Sequence, residues 1–283
     1  MAVSTRSDFI DFIVPLYERL ELYDRTRPPG DQPRNDAADP ARNLPDGFID
    51  AMKVREQVFV KEQGIPLEDE LDKDDKHSYH WVVYASVPAR KDSSATPAEG
   101  GHAEPPRRVS TSTKVPIGTI RLVPGTQDPY PKPSRFEEVD AAEVETRKSK
   151  REGKEAYVKI GRLAVVKEYR KAGISKLLID TVLAFARENP SSLMPTFDPA
   201  MVEALRQLSN LGTSFDWKGL LLVHSQIGVQ KVWRRYGFET DHSMGVWDEE
   251  GIEHVGMWKR LDMSGRRKSK AWQGSLSSPL GSP

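Results

Sequence analysis

The sequence predicts an α/β fold from three stretches. In residues 157–165 apolar and polar side chains alternate, and a basic turn then leads into a helical pattern that ends at Asn189 and Pro190. Residues 80–85 and 117–123 have the composition of two strands that pair as a hairpin. Residues 219–224 are a continuous apolar run, which is typical of a strand covered on both faces. Strands and helices in this succession indicate an α/β domain.

The strand in residues 157–165 carries a change of phase. Val158 and Ile160 alternate with polar neighbours, and Leu163 and Val165 resume the alternation one residue later. One extra residue in a strand re-aims every later side chain, so the phase change predicts a β-bulge at Gly161-Arg162. After the turn, apolar residues recur at helical spacing, at Ile174, Leu177, Leu178, Val182 and Phe185.

The turn between this strand and helix, residues 170–175, suits an anion. The first turn of a helix has unpaired amide groups and a partial positive charge, and Gly173 lets a phosphate approach the backbone. Arg170, Lys171 and Lys176 add positive charge. An ordinary β–α connection that happens to be basic is the alternative interpretation, because such short patterns have many false positives. Gly173 is not followed by Gly-Lys-Ser/Thr, so the turn is not a Walker-type loop.

Composition limits the functional classes. The 283 residues could form one domain or two, and a hydrophobic content of 37% is low for a chain that is compact throughout. Lys+Arg and Asp+Glu both number 42, so no net field attracts nucleic acid or a membrane. The lack of cysteine excludes disulfides, thiolate metal sites and cysteine nucleophiles. No apolar run approaches the roughly 20 residues that span a bilayer, and the first residues lack a signal-peptide core.

These observations predict a cytoplasmic protein without a membrane partner. We divide the chain into an N-terminal segment (residues 1–45), a folded domain (46–262) and a basic, Ser-rich tail (263–283) that we expect to be disordered. The basic run 266–270 in that tail is at best a weak nuclear-import patch, so an additional nuclear location stays open. Disordered insertions are predicted near residues 88–114, 125–156 and 191–218.

The remaining elements are read from turn signals and periodicity. Residues 9–22 favour a short strand or a helix broken at Pro15. Asp46 suits the cap of a helix whose polar residues, Arg55 and Glu62 among them, are interpreted most simply as a solvated face. The acidic residues 67–76 are interpreted as a solvated loop. Near the C-terminus, a helix in residues 227–236, a strand in 243–247 and a strand in 252–260 follow, and the two strands flank a hairpin turn.

Residues 163–175, read Leu-Ala-Val-Val-Lys-Glu-Tyr-Arg-Lys-Ala-Gly-Ile-Ser, resemble the acetyl-CoA signature of the GNAT acyltransferases. That signature has a hydrophobic strand, Arg or Gln, two residues, Gly, one residue, and Gly or Ala. This chain departs from it at Ser175, which is still a small residue.

Three further stretches extend the resemblance. Residues 54–66 are similar to the "R-x-x-V-F-V-x-E-Q" segment of a branch that includes the small ElaA-like acetyltransferases, and in that family the segment lies beside the acceptor pocket. Residues 226–238 resemble the family's second signature, and residues 248–257 resemble the terminal hairpin of the ElaA-like branch. Together the four motifs cover roughly residues 47–261 in the family's order, which is more specific than any single motif.

The resemblance implies the GNAT acyl-CoA N-acyltransferase fold, a mixed twisted central sheet with helices on both faces. It also implies an N-acetyltransferase that moves an acetyl group from acetyl-CoA to a primary amine by direct attack in a ternary complex. No metal is expected, and the acceptor is a small-molecule or protein amine. We expect a monomer or homodimer without a nucleic-acid partner. The implied cofactor-binding residues are Leu163, Ala164, Val165, Arg170, Lys171, Ala172, Gly173, Ile174, Ser175, Lys176 and Gln226.

The catalytic groups are less determined. Many family members carry a carboxylate just before the cofactor motif, where this chain has Gly161 and Arg162, and many use a tyrosine where this chain has Trp233. Tyr236 is the nearest phenol, and Glu62 could act through water or bind the acceptor amine.

Histidine is the natural base near neutral pH. His254 shares one face of the last predicted strand with its alternate neighbours and is the leading candidate, although a hydrogen-bonded structural histidine is the alternative. His80 is a weaker candidate. The second functional hypothesis is a catalytically silent module that binds acyl-CoA.

Overall fold

A computed structural model describes residues 9–32, 43–88, 112–126, 132–135, 156–194 and 217–264 of the 283-residue chain. The insertions predicted near residues 88–114, 125–156 and 191–218 and the tail predicted at 263–283 lie largely outside the described residues. Within these ranges, strands and helices follow one another as an α/β fold requires, so the predicted fold class is confirmed.

The strands of the described ranges are β1 (Ile10–Ile13), β2 (Tyr79–Pro88), β3 (Ser112–Thr126), β4 (Tyr157–Val165), β5 (Leu220–Gln226), β6 (Glu239–Thr240), β7 (Val246–Glu249) and β8 (Ile252–Arg260). The α-helices are α1 (Asp46–Arg55), α2 (Leu67–Glu70), α3 (Ile174–Glu188) and α4 (Gln230–Arg234). A π-helix (Glu56–Glu62) follows α1 without a break. Short 3-10 helices are Tyr17–Leu22, Pro29–Asp31, Asp75–His77, Lys167–Tyr169, Pro190–Leu193, Ile227–Val229 and His242–Met244. None of the helices described is long and apolar enough to cross a membrane.

The chain forms two compact units. Unit 1 contains residues 1–123 and 160–180, and unit 2 contains residues 124–159 and 181–283. The chain passes from unit 2 into unit 1 within β4, and from unit 1 back into unit 2 within α3.

The sheet of unit 1 has the strand order β1-β2-β3-β4. β1 and β2 are antiparallel, and β2 and β3 are antiparallel with a register shift between Val83 and Tyr84. The predicted hairpin is confirmed, and it is longer than predicted. Pro88 pairs with Ser112 and Ser86 with Lys114, so the strands extend into both ends of the insertion predicted at residues 88–114.

Helix α1 covers part of this sheet. Phe48, Ala51 and Met52 are buried in one apolar cluster with side chains of β2 and of residues 13–23. The helix begins at Asp46 itself, and Pro45 occupies the cap position without a side-chain hydrogen bond, so Asp46 is not the cap. Residues 9–22 contain both predicted alternatives in succession, a strand (β1) and then a 3-10 helix after Pro15.

The sheet of unit 2 has the order β4-β5-β8-β6, with β7 paired to the remaining length of β8. β7 and β8 are joined by Glu250 and Gly251, whose φ values of +54° and +83° fit a two-residue hairpin turn. The predicted terminal hairpin is therefore confirmed, but its first strand begins at Val246. The residues before it form a 3-10 helix whose Ser243 amide is capped by Asp241 at 3.1 Å.

One face of this sheet is an apolar core. Its buried members are Tyr157, Leu220, Leu222, Met244, Trp247 and Trp258. A β-carbon at Gly256 would lie 2.2 Å from the sulfur of Met244, so a larger residue there would have to displace the Met244 side chain.

Candidate cofactor and catalytic sites

Strand β4 runs from Tyr157 to Val165 and has one left-handed residue where the bulge is predicted. Arg162 has φ of +50°, a left-handed conformation that a residue with a β-carbon adopts at a cost. The expected burial after the bulge is wrong in one respect. Ala164 is the buried residue and packs with Val58 and Phe59, whereas Leu163 and Val165 are half-buried.

The turn after β4 presents its backbone openly. Lys171 and Gly173 have φ values of +67° and +83°, and a β-carbon at Gly173 would meet no atom within 4 Å. The amides of Ile174 and Ser175 lie in the first turn of α3, where no helical carbonyl precedes them. Backbone donors and space therefore coincide at the predicted anion site, together with the exposed Ala172.

The three cations of the turn differ in their partners. Arg170 donates from Nε to the carbonyl of Val165 at 3.0 Å and forms an ion pair with Glu62 at 2.5 Å. Lys176 is paired with Asp180 one turn along α3. Lys171 makes no ion pair with any residue in the described ranges, so it is the cation most available to an anion.

The acidic residues 67–76 are solvated only in part, since Glu68 and Asp69 are exposed but Glu70 and Asp75 are buried, and Arg55 is not on a solvated face. Six charged side chains of unit 1 form one cluster, which we call the ion network: Arg55, Glu70, Asp72, Asp75, Arg121 and Arg162. Arg55 and Asp75 are 0% exposed. The interpretation of both segments as solvated is corrected because each cation meets a carboxylate.

Guanidinium groups hold the carboxylates of the network. Arg55 donates to Glu70 Oε1 at 2.6 Å and to Asp75 Oδ1 at 2.7 Å. Arg121 binds both oxygens of Asp72, at 2.6 and 2.8 Å. Burial acts to raise the pKa of Asp72, but the positive charge of Arg121 outweighs it and lowers that pKa to about 2. Asp72 is therefore ionised at neutral pH.

His80 lies beside this network and is fully buried. Its Nε2 is 3.8 Å from Asp75 Oδ1, and its ring meets the edge of Phe48 at 5.3 Å. Burial lowers the pKa of His80 to about 3, so the ring is neutral at neutral pH. A ring without access to solvent is a poor candidate for proton exchange with a substrate.

Unit 2 contains a different titratable cluster, which we call the histidine cluster: His224, Trp247, Glu249 and His254. His224 Nδ1 donates to Glu249 Oε1 at 3.0 Å, and the Trp247 indole donates to the same oxygen at 2.7 Å. Burial acts to raise the pKa of Glu249, but these hydrogen bonds and the charge of His224 lower it to about 2.

His254 is tied into this cluster and is 8% exposed. Its Nδ1 donates to the carbonyl of Ile252 at 2.8 Å, and its Nε2 lies 3.9 Å from Glu249 Oε2. In the neutral ring this leaves Nε2 as the basic nitrogen. Both the proposed base and the hydrogen-bonded structural histidine of the alternative interpretation are compatible with these contacts.

The sequence interpretation missed His224 and Glu249. The signal was the alternation of the paired strands: His254 pairs with Gln226 of β5 and with Trp247 of β7. His224 and Glu249 lie two residues from those partners and therefore share their faces. In the described ranges, no set of three or more His, Asp or Glu residues is arranged to hold a metal ion.

The other predicted residues of unit 2 lie near α4. Gln226 is the last residue of β5 and is half-buried. Tyr236 is half-buried, and its amide donates to the carbonyl of Trp233 at 2.9 Å. Trp233, at the position of the family's tyrosine, is buried against Phe238.

With this geometry described, the fold is the mixed α/β fold of the acyl-CoA N-acyltransferases, with a mixed open sheet. Residues 54–180 match the family model of the acetyltransferase (GNAT) domain. These residues are therefore similar to a GNAT acetyltransferase domain, and an acyl-CoA is the donor that this family implies.

Individual relatives are distant or local. A stretch of 35 residues, 12% of this chain, is 57% identical to the uncharacterized N-acetyltransferase YjcF of Bacillus subtilis (strain 168) and spans 25% of that protein's length. An acyl-CoA N-acyltransferase structure from Pseudomonas aeruginosa is 20% identical, covers 77% of this chain and 93% of its own, and has a TM-score of 0.37. Escherichia coli ElaA is 16% identical with the same coverage, 77% and 93%, and the same TM-score, 0.37. These likenesses do not resolve the branch.

Proposed function

We propose that this protein is an acetyl-CoA-dependent N-acetyltransferase that acetylates a primary amine by direct attack within a ternary complex. The observation that carries the proposal is the succession of a left-handed residue in β4 at Arg162, an open left-handed turn at Gly173 and the start of α3, where no helical carbonyl precedes the amides of Ile174 and Ser175. Such a turn offers oriented amides and positive charge to a pyrophosphate.

The cofactor would be held by two parts of unit 1. The amides from Lys171 to Lys176 bind the pyrophosphate, and Lys171 supplies an available positive charge. The backbone of Leu163, Ala164 and Val165 pairs with the pantetheine arm as an added strand does. Near the left-handed residue of β4, a backbone amide would donate to the thioester oxygen as negative charge develops there.

The acceptor must lose a proton before it can attack. An amine with a pKa of about 10.4 is mostly protonated at neutral pH, which costs roughly 4–5 kcal/mol in available nucleophile. His254 would take this proton at Nε2, and the ionised Glu249 at 3.9 Å would stabilise the imidazolium. Glu62 would bind the acceptor ammonium or act through water, and Tyr236 would protonate the leaving thiolate.

A binding module without catalysis is the second candidate. It is favoured by Trp233, whose indole cannot serve as the acid, and by Arg162, which stands where many relatives have a carboxylate. Such a module would bind CoA and acetyl-CoA alike and would release no CoA with any amine. Turnover of acetyl-CoA against a panel of small amines and peptide amines therefore separates the two candidates.

The cofactor site itself is tested by Gly173→Asp. The carboxylate would occupy the anion site, so we expect CoA binding in the micromolar range for the parent, as is usual for metabolite sites, and no measurable binding for the variant. Gly64→Asp is the matched control, because Gly64 has φ of +80° and the same open surroundings. Isothermal titration with CoA gives the comparison. Parental affinity in Gly173→Asp would contradict the assignment of the turn.

A further inference from the structure

The left-handed position within β4 has an unusual occupant. Glycine adopts a left-handed backbone freely, yet the left-handed residue is Arg162, and glycine precedes it at position 161. A strained conformation of this kind persists where the surrounding structure over-determines it. The contacts of the Arg162 side chain are therefore expected to maintain this conformation.

The guanidinium group of Arg162 is bound by carboxylates of the ion network. Its Nη2 donates to Asp72 Oδ2 at 3.0 Å, its Nε lies 3.3 Å from Glu70 Oε1, and its guanidinium lies 6.0 Å from the centre of the Phe59 ring. Arg162 is the partly exposed end of the network, with 26% of its side chain accessible. A carboxylate that is itself held by other groups is a fixed partner for it.

Asp72 is such a fixed partner. Both of its oxygens are bound by Arg121, and its side chain also accepts from the amide of Asp74 at 2.8 Å. Arg121 is buried in β3, the neighbour of β4 in the sheet. The position of Asp72 is thus set by the sheet itself, and Arg162 is tied through Asp72 to the adjacent strand.

The stretch that follows Arg162 is held at its other end as well. The amide of Val166 donates to the carbonyl of Ile117 at 2.9 Å, and a β-carbon at Gly118 would lie 3.3 Å from the carbonyl oxygen of Ala164. Residues 163–165 therefore lie between the Asp72 contact and the β3 contact. A change at either end would re-aim their backbone groups.

We propose that the Asp72–Arg162 ion pair is the device that positions residues 163–165 for the pantetheine arm, an inference that rests on the proposed cofactor site. Asp72 is a positioning residue in this arrangement and touches no substrate. The pair sets the direction of the backbone groups after Arg162, whereas the pyrophosphate turn is built by residues 170–176 and is joined to this stretch by the hydrogen bond from Arg170 Nε to the carbonyl of Val165. The two parts of the cofactor should therefore respond differently to loss of the pair.

Two ligands separate the two parts. CoA contains the pantetheine arm, and adenosine 3′-phosphate 5′-diphosphate contains the pyrophosphate without that arm. In Asp72→Asn we expect the Kd of CoA to rise about tenfold while the Kd of the nucleotide changes by less than about twofold. Asp69→Asn is the matched control, an exposed acidic residue of the same segment, and should leave both constants unchanged.

Arg162 gives a second test in which Arg55 and Arg121 keep their ion pairs with Asp75. Arg162→Ala keeps the left-handed strain and loses the ion pair, so it should weaken CoA about tenfold, whereas Arg162→Gly removes the strain and should weaken CoA by about threefold or less. In the Arg162→Gly background, Asp72→Asn should add almost nothing.

The outcomes separate the inference from the proposed function. If the parent binds neither ligand, the cofactor site itself is wrong. If the parent binds both, equal loss of CoA in Arg162→Ala and Arg162→Gly overturns the positioning role. The positioning role is also overturned if a folded Asp72→Asn variant binds both ligands equally more weakly, or if its binding of neither ligand is weakened. Should Asp72→Asn fail to fold, the Arg162 pair of variants still decides.

Discussion

The two ionic clusters of the molecule handle charge in opposite ways. The ion network of unit 1 joins arginines to carboxylates, with Arg55 and Asp75 fully buried. The histidine cluster of unit 2 joins one carboxylate, Glu249, to two histidines and an indole, and 38% of the Glu249 side chain is exposed. Arginine stays charged at every ordinary pH, whereas histidine changes charge near neutrality. The first cluster is therefore suited to fix geometry, and the second to exchange a proton.

The largest expected effect is a loss of stability when one buried cation is removed from the ion network. Arg55→Met takes the buried guanidinium away from Glu70 and Asp75, and loss of one member of a buried pair costs about 3–5 kcal/mol of unfolding free energy. Chemical denaturation measures this, and an insoluble or unfolded product has the same meaning. Lys53→Met is the control, since the exposed Lys53–Asp50 pair should contribute less than about 1 kcal/mol. A similar small cost at Arg55 would contradict the structural role of the network.

The next largest effect concerns catalysis by the histidine cluster. His254→Ala should lower the rate by about 10²-fold and leave CoA affinity unchanged. The parent's pH–rate profile should show a limb that the histidine supplies, and the variant's profile should lack it. Tyr236→Phe should have a smaller effect. A His254→Ala enzyme with the parental rate and pH profile would assign the proton to another group, and the cluster would then be structural like its counterpart in unit 1.

The sequence predicts the local elements of this fold well. The strand, turn and helix of residues 157–188 and both hairpins follow from periodicity and turn residues, which are properties of neighbours in the chain. The ion network could not be predicted in the same way, because it joins partners as distant as Arg162 and Asp72, 90 positions apart. A buried acidic residue and a solvated one also look identical in a single sequence.

One signal of the network was nevertheless present. Arg55 lies four residues after Ala51 and four before Phe59, so it occupies the apolar stripe of the helix and not its polar face. A charged residue in such a stripe is buried with a partner more often than it is solvated. The identity of the partner, by contrast, depends on how residues 67–76 return to the sheet, which no local pattern specifies.

A smaller effect is the pH dependence of stability that His80 causes. His80 has a folded pKa lowered to about 3 by burial, whereas an unfolded histidine has a pKa of about 6.5. Between these values the unfolded state binds a proton that the folded state does not, so stability should fall by about 1.4 kcal/mol for each pH unit of acidification below about 6.5. His80→Leu should remove this slope in unfolding titrations from pH 7 to 4.5.

The pH range in which His80 lowers stability is separate from the range in which the carboxylates do so. The lowered pKa of Asp72 and that of Glu249 contribute stability that is present above about pH 4 and is lost as pH falls toward about 2. His77→Gln, at an exposed position, is the control for His80. An unchanged slope in His80→Leu would mean that the acid sensitivity arises elsewhere.

The smallest expected effect concerns the exposed ion pair between Glu62 and Arg170. Glu62 neutralises Arg170 at the edge of the anion turn, so a pyrophosphate must compete with this carboxylate for the guanidinium. Glu62→Gln should change the unfolding free energy by less than about 1 kcal/mol, because exposed pairs contribute little. It should also tighten CoA binding by about two- to threefold at low ionic strength, with the gain reduced by added salt. Glu68→Gln, an exposed change of the same charge, is the control.

If Glu62 also receives the acceptor ammonium, the KM for the amine should rise in the same variant while CoA binds more tightly. Weaker CoA binding in Glu62→Gln would instead show that the carboxylate orients Arg170 toward the cofactor, which would make this surface pair a positioning device like the buried one.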